Sequence, residues 1–322
     1  MITKRTWQLG VKSGWNTTLI LGKVIFPVTF IVTILKYTPV IDWIIILFTP
    51  FMKWLGLPGE AAIPLALGMV LNLYAAIAAI ITLDLTVKSV FILAVMLSFA
   101  HNLIVETAVA KKIGIKAIVP ISIRIGLAII SAFLINLLWA GGDAQAEYGL
   151  VAINAEQAEH WYEIILLALK TATLGILQVA LIIFPLMVVV QLLKDLKVIN
   201  YLSRWLEPAT KLLGLSSGKA SIPLLAGLIF GLAYGAGIII ESAKEEELSQ
   251  KDLYLLSIFL VACHAVVEDT LLFIPLGINV LPLLLIRLSV AIVITIITAR
   301  VWKKLVPAFN QETAFGAKGE QK

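Results

Sequence analysis

The sequence is poor in charge and nearly devoid of cysteine. Asp, Glu, Lys and Arg together make up 14% of its 322 residues, whereas a soluble domain carries about a quarter. Its one cysteine, Cys263, excludes an intramolecular disulfide framework. No G-x-x-x-x-G-K-[ST] run occurs, so the chain holds no nucleotide-hydrolysing motor of that type. No H-E-x-x-H occurs either; His264-Ala-Val-Val-Glu-Asp has a different order, which argues against a zincin-type intramembrane protease. What fills the chain instead is apolar: 60% of residues are hydrophobic and the mean hydropathy is +1.00. A soluble core of this length could not hide that much apolar surface. A cytosolic enzyme, a disordered chain and a nucleic-acid-binding module are thereby excluded, leaving an all-α polytopic membrane protein whose first partner is the lipid bilayer.

Long apolar stretches fall near 17–35, 61–83, 88–110, 117–141, 164–193, 220–241, 253–276 and 280–301. Two shorter segments, 40–56 and 198–214, carry charge and a mid-segment proline, Pro50 and Pro208. They are either broken spans or helices lying in the interface, which gives about 8–10 transmembrane segments. Trp15, Trp54, Trp139, Trp161 and Trp302 stand near segment ends, as an interfacial aromatic belt requires. The stretches are too long and continuous for β-barrel strands. The first span follows Lys4, Arg5 and Lys12 as a signal peptide would, but no small-residue cleavage site follows it and a second copy of the segment lies deep in the chain. It is read as architecture.

That second copy is part of a tandem repeat. Residues 26–56 align with 184–214 at an offset of 158, with eleven of 31 positions identical, among them Phe26, Pro27, Lys36 and Pro50. Gly59-Glu-Ala-Ala-Ile-Pro-Leu matches Gly218-Lys-Ala-Ser-Ile-Pro-Leu at offset 159, and Gly68 matches Gly227. Further on the offset is 163: His101, Thr107, Gly114, Ile123 and Arg124 match His264, Thr270, Gly277, Ile286 and Arg287. The jump falls in the polar stretch Glu241–Asp252, where a loop insertion is easily tolerated. The expected organisation is an N-terminal cytoplasmic segment 1–14, repeat one 15–141, a polar extracytoplasmic linker 142–163, repeat two 164–304, and a disordered cytoplasmic tail 305–322.

Lysine and arginine in short loops set the orientation. Lys4, Arg5, Lys12, Lys111, Lys112 and Lys116 belong inside, as do Lys194, Lys197, Arg300, Lys303 and Lys304. The linker and the Gly277–Asn279 loop have no positive charge and belong outside. The pattern is consistent only if each copy crosses an odd number of times. Five crossings per copy, with the short segments included, satisfy it, leaving Lys211 and Lys219 as a mild exception. The two copies are then inverted, and both termini of this multi-pass cell-membrane protein are cytoplasmic; if the short segments do not cross, each copy has four spans and the repeats are parallel instead.

The fourth segment of each copy carries residues that do not belong in hydrocarbon. Phe99-Ala-His-Asn-Leu-Ile-Val-Glu-Thr107 answers Ala262-Cys-His-Ala-Val-Val-Glu-Asp-Thr270, pairing His101 with His264, Glu106 with Asp269 and Thr107 with Thr270. Intramembrane ionisable groups cost several kcal/mol and face a cavity or a partner. On an unbroken helix His264 and Glu268 share one face, whereas His101 and Glu106 do so only if the helix breaks. Their bland role is to pair with Arg124 and Arg287 and hold helices together; those arginines, about two turns into their spans, could also snorkel outward. The third segments are rich in small residues. Gly227, Gly231 and Gly235 form a double G-x-x-x-G, which reads as close helix packing or as an unwound stretch whose free backbone contacts a solute. Asn72, Tyr74 and Tyr234 are polar handles on these segments.

The paired His-x4-acid-Thr segments and the glycine-rich third segment resemble the Gate, or nucleoside-recognition, domain. That domain occurs in spore maturation proteins A and B, in the membrane part of ferrous iron transporter B and in concentrative nucleoside transporters. The similarity covers nearly the whole chain, once per repeat. It implies inverted repeats with broken helices around a central site. The iron transporter's GTPase domain and its Gly-Cys gate motifs are not matched, since Cys263 lies in a different segment.

Three functions follow as expectations. One is a secondary transporter moving a small polar solute, nucleoside-like or otherwise, by alternating access with H⁺ or Na⁺ coupling. The second is a divalent-cation permease with His101, His264, Glu106 and Asp269 as candidate ligands, since imidazole with carboxylate suits transition metals. The third is a non-transport scaffold such as a spore maturation factor. No catalytic residue, no cofactor and no nucleic-acid partner is expected; a homo-oligomer is compatible with the sequence.

Overall fold

The computed structural model describes residues 3–149, 160–196, 198–215, 220–245 and 248–310. It is all-helical, and among the described residues the only β feature is an isolated bridge between Thr86 and Gln145. Copy one comprises α1 (Lys4–Leu35), α2 (Pro39–Trp54), α3 (Ala62–Val70), α4 (Leu73–Ile80), α5 (Val87–Ala100), α6 (Leu103–Lys112) and α7 (Ile118–Leu138). Copy two comprises α8 (Trp161–Asp195), α9 (Val198–Leu212), α10 (Ser221–Glu245), α11 (Gln250–Ala262), α12 (Val266–Leu272) and α13 (Val280–Asn310). The expected segment 305–322 thus begins as helix; residues 311–322, and 150–159 of the linker, lie outside the described residues.

Two equivalent helices form the spine. The 32 residues of α1 span about 48 Å at ~1.5 Å per residue, ample for a ~30 Å hydrocarbon core. A Thr3 side chain caps its start, and Pro27 lies inside it. Its buried stripe, Gly10, Gly14, Thr17, Leu21, Ile25, Thr29 and Val32, recurs every three or four residues, and small residues there admit a close neighbour. That neighbour is α8. A Cβ on Gly10 would stand 3.1 Å from Val188 Cα, one on Gly14 3.0 Å from Phe184 O, and one on Gly22 3.7 Å from Ile176. As α1 is followed upward, α8 is met downward, so the two run antiparallel. Equivalent helices that run antiparallel across a membrane are related by an axis in the membrane plane, and the repeats are therefore inverted.

The third segment of copy one does not cross straight. It breaks at Leu71–Asn72, where Asn72 is fully extended (φ −168°, ψ 170°) and its side chain accepts from Ala75 N–H to start α4. A Cβ on Gly68 would stand 2.9 Å from that of Ala76, although straight helix would hold them about 12 Å apart. So α3 and α4 fold back as a hairpin. In copy two α10 breaks at the equivalent position, Gly231, whose φ of 73° and ψ of 174° suit glycine alone.

Among the described residues, six helices or near-continuous helix pairs are long and apolar enough to cross: α1, α5–α6, α7, α8, α11–α12 and α13. The helices α2 and α9 hold 16 and 15 residues, about 24 and 22 Å, and fall short. Trp43, Ile46, Phe51 and Trp54 of α2, and Tyr201 and Trp205 of α9, are exposed, as interfacial helices require. The segment from Pro39 to Trp54 meets that from Gly59 to Val70 at 90°. Three full crossings per copy thus replace the five expected from the sequence. The parity stays odd, and the count of eight apolar segments is kept, four of them broken in their middle. Lys211 ceases to be an exception, because no crossing separates it from Lys194; Lys219 lies outside the described residues.

The core is built on α5 and α11. From Ser89 to Ala100 and from Tyr254 to Ala262 every residue is buried. The loop after α7 folds back over copy one: Val87 and Lys88 donate to Ala144 O and Gly142 O at 2.8 and 2.9 Å, and Ala146 donates to Leu85 O at 3.0 Å. Tyr148 is buried there, which pushes its phenol above the ordinary range.

Candidate substrate and ion site

Each fourth segment breaks next to its histidine. Asn102 and Ala265 are the two non-glycine residues of positive φ (50° and 43°) among those described. The bend frees their N–H groups, which donate to Gly68 O (2.8 Å) and Gly227 O (3.0 Å) at the third segments. Close approach there explains the glycines: a Cβ on Gly68 or Gly227 would lie 2.3 or 2.4 Å from the side chain of Leu97 or Leu260. The glycine-rich segment thus combines close packing at Gly227 with a backbone break at Gly231. The side chains of Gly235's neighbourhood and of Tyr234 lie outside the described residues.

The bend also brings His101 and Glu106 together despite their five-residue spacing. Both histidines are buried, with ring centroids 5.1 Å apart. Each directs Nδ1 at the carbonyl four residues earlier, His101 at Leu97 O (2.7 Å) and His264 at Leu260 O (2.8 Å). A carbonyl only accepts, so Nδ1 carries hydrogen and Nε2 is the free position of a neutral ring. Both Nε2 atoms then face one oxygen: Glu106 Oε1 lies 3.3 Å from that of His101 and 3.2 Å from that of His264. Two lone pairs and a carboxylate oxygen at that range repel unless a cation joins them.

The carboxylates are held by the arginines. Arg124 Nη1 lies 2.7 Å from Glu106 Oε2, while its Nε and Nη2 donate to Phe99 O and His101 O at 2.5 and 2.6 Å. In copy two Arg287 Nη2 donates to Asp269 Oδ2 and to His264 O, both at 2.8 Å. Both arginines are fully buried, so the outward-snorkelling alternative is excluded. Each also ties off a carbonyl left bare by the helix break, which long-reaching guanidinium donors can do. With two guanidiniums against two carboxylates the pairs balance, and Glu268 is left as the acid with no guanidinium. It accepts a hydrogen bond from the Tyr74 hydroxyl.

These groups enclose a cavity of about 70 Å³ lined by His101, Glu106, His264, Glu268, Asp269, Asn72 and Tyr74, with Phe230 and Gly231 from the other hairpin. Thr107 and Thr270 are buried but are not among its lining residues. Of the residues the sequence pointed to, the structure gathers the histidines, acids, arginines and Asn72, and not the threonines. Phe230, Leu272 and Asn102 also line it; the shared position of Asn102 and Ala265 beside each histidine was the sequence signal that could have marked the bend. Ligand atoms of His101, His264 and Asp269 lie within 4.8 Å of one another, but Asp269 already holds Arg287.

The model of the Gate family, described as nucleoside recognition, matches residues 18–117 and 176–277. This chain belongs to the Gate family. The two matches start at the spacing of 158 that relates the spine helices, so one Gate unit corresponds to each repeat. A curated relative, the "Uncharacterized membrane protein YvoD" of Bacillus subtilis (strain 168), is 53% identical over 305 residues, covering 95% of this chain and 97% of its own. No solved structure matches the chain. The resemblance read from the His-x4-acid-Thr segments is thereby borne out, and the chain is a multi-pass Gate membrane protein.

Proposed function

We propose that this Gate protein is a proton-coupled secondary transporter of a small polar solute, with His101, His264 and Glu106 as its cation-binding cluster. The observation that carries this reading is the convergence of two Nε2 atoms on one carboxylate oxygen, an arrangement that calls for a shared cation. A proton suits it better than a divalent metal. Glu106 and Asp269 are already neutralised by buried arginines, so a divalent ion would find only Glu268 to offset it and would leave net positive charge in a low-dielectric site. The cavity supports the same view: at about 70 Å³ it is well below the ~300–1,000 Å³ of drug-sized ligand sites. In this conformation it has room for nothing larger than an ion or a few waters, and in the proposed cycle a solute such as a nucleoside enters in another.

The proposed orientation puts both termini in the cytoplasm, with the protein in the cell membrane. With three crossings per copy, Lys4, Arg5, Lys12, Lys111, Lys112, Lys116, Arg204 and Lys211 all fall on one side, and the 142–160 linker on the other.

The test is full-length protein in proteoliposomes under an imposed pH gradient, with uridine and adenosine as first solutes and internal pH as readout. Solute-dependent proton movement that Glu106→Gln abolishes, while the variant still folds, is the expected result. If neither solute moves protons, metal ions raise the unfolding temperature of the wild type but not of His101→Ala or His264→Ala, and metal uptake follows, the protein is a cation permease. If nothing moves and Glu106→Gln only lowers stability, the cluster is structural.

A further inference from the structure

A second cavity, also about 70 Å³, adjoins the first. It lies between the N-terminal half of α1 and the C-terminal half of α8, with Ser13, Thr17 and Gln191 on its wall. Phe230 and Glu268 line both cavities, so Glu268 stands at the partition. Beyond the second cavity the polar line continues: Gln191 Nε2 donates to Asp195 Oδ1 at 2.9 Å, and Asp195 ends α8. A buried carboxylate without a guanidinium, shared between a polar antechamber and the histidine cluster, is placed to take up a proton from one and pass it to the other.

We propose that Glu268 is the proton entry port, loaded from the side of the membrane that holds the N-terminus of α1 and the C-terminus of α8. This rests on the proton-coupled reading above and deepens it. A proton reaching the antechamber forms the O–H of a Glu268 carboxylic acid. It then leaves Glu268 as carboxylate and joins the cluster at a histidine Nε2, giving an imidazolium against Glu106; no other bond changes. The groups facing Glu268 are the Tyr74 hydroxyl from α4, His101 from α5, Glu106 from α6, His264, Asp269 and, through Asp269, Arg287 of α13. Ser13 and Thr17 of α1 and Gln191 of α8 complete the set, and α10 contributes only Ile229, Phe230, Gly231 and Leu232. The port is a property of copy two alone. At the matching position copy one has Val105, which is 48% exposed.

Electrometry on a solid-supported membrane tests this without a known solute. Proteoliposomes of the full chain are acidified rapidly from about pH 7.5 to about pH 6, a range that histidine and perturbed carboxylates cover. Proton entry into the membrane-buried site displaces charge and gives a transient. The wild type should give it, Glu268→Gln should lose it, and Gln191→Leu should slow it severalfold. Tyr74→Phe, which keeps the acid and removes its hydrogen bond, should shift the pH at which the transient is half-maximal; it stands in if Glu268→Gln does not fold. A transient unchanged in Glu268→Gln but lost in Glu106→Gln overturns the port and leaves the proton-coupled cluster standing. No transient from folded wild type overturns both.

Discussion

The two copies share a chain path but differ where the second arm of each hairpin meets the spine. In copy one that arm, α4, is packed against α1. Thr29 Oγ1 donates to Ala78 O at 3.3 Å, Ala78 is 1% exposed, and Ile81 lies over Gly175, where a Cβ would come within 2.8 Å of it. In copy two the residues at the matching spine positions are Met187 for Thr29, Gln191 for Thr33 and Thr17 for Gly175, and they border a cavity instead. Gly237, the partner of Ala78, has nothing within 4 Å of where its Cβ would be. The same module is thus closed on one side of the protein and open on the other. The proposed alternating access would need this inequality in any single state, since two equally packed hairpins would seal the site from both sides.

Where the copies agree, damage should be greatest. Arg124→Ala and Arg287→Ala each strand a buried carboxylate, and each should cost about 3–5 kcal/mol, seen as loss of folded protein in detergent extracts. Replacing Arg124 and Glu106 together by methionine should recover most of that stability while leaving transport dead. Equal losses from the two arginines would bear out the shared tie; a loss confined to one copy would break the comparison.

The breaks separate the copies next. Gly231→Ala forces a side chain into glycine-only backbone, with its Cβ about 3.0 Å from that of Ala265, and should cost about 1–3 kcal/mol. Asn72→Ala removes only a cap and should cost about 1 kcal/mol. Thermal unfolding of the two variants, measured in one detergent, orders them; a costlier Asn72→Ala would mean that the copy-one hairpin depends on more than its cap.

Accessibility distinguishes the open arm from the closed one. In a Cys263→Ala background, a thiol reagent should modify Gly237→Cys about tenfold faster than Ala78→Cys, a ratio that corresponds to about 1.4 kcal/mol of opening free energy. Conditions that favour the opposite state should reverse the ratio. An invariant ratio would make the asymmetry a fixed feature of the fold. The smallest effect belongs to the end of α1, where Lys36 Nζ lies 2.5 Å from Asp84 Oδ2 with side chains 31% and 48% exposed. Asp84→Asn should therefore cost only about 0.2–1 kcal/mol, lost at high salt, and should speed labelling at position 78 slightly.

Composition, hydrophobic run length and the internal match made the membrane class, the repeats and the His-acid pairs legible. Antiparallel spine packing was foreshadowed by the odd-parity charge pattern, although the number of crossings was not. Hydropathy cannot distinguish a hairpin that enters and leaves on one face from a helix that crosses, because both are apolar throughout. The fold-back depends instead on Gly68 meeting Ala76 and on a break at Leu71–Asn72, and neither changes hydropathy. The roles of Arg124 and Arg287 were half legible: their spacing from the histidines was visible, but their reach to bare carbonyls follows from a bend that no residue preference demanded. Thr107 and Thr270 match in the alignment yet do not line the cavity, since on the short helices after each bend they fall away from the opening.

That bend has a consequence for how the protein is made. Neither Asn102 nor Ala265 gains from its left-handed backbone, which costs an L-residue such as alanine about 1–2 kcal/mol. Local preference alone would carry one straight helix from Val87 to Lys112 and another from Gln250 to Leu272. What pays for the bend is the main-chain bond to Gly68 or Gly227, the guanidinium on the adjacent carbonyl, and the cluster itself. The crossing helices are therefore expected to enter the bilayer straight and to bend when the hairpins and α7 or α13 arrive. The cluster draws His101 and Glu106 from one copy and His264 from the other, so neither half of a nascent chain holds it complete before the second repeat docks on the first.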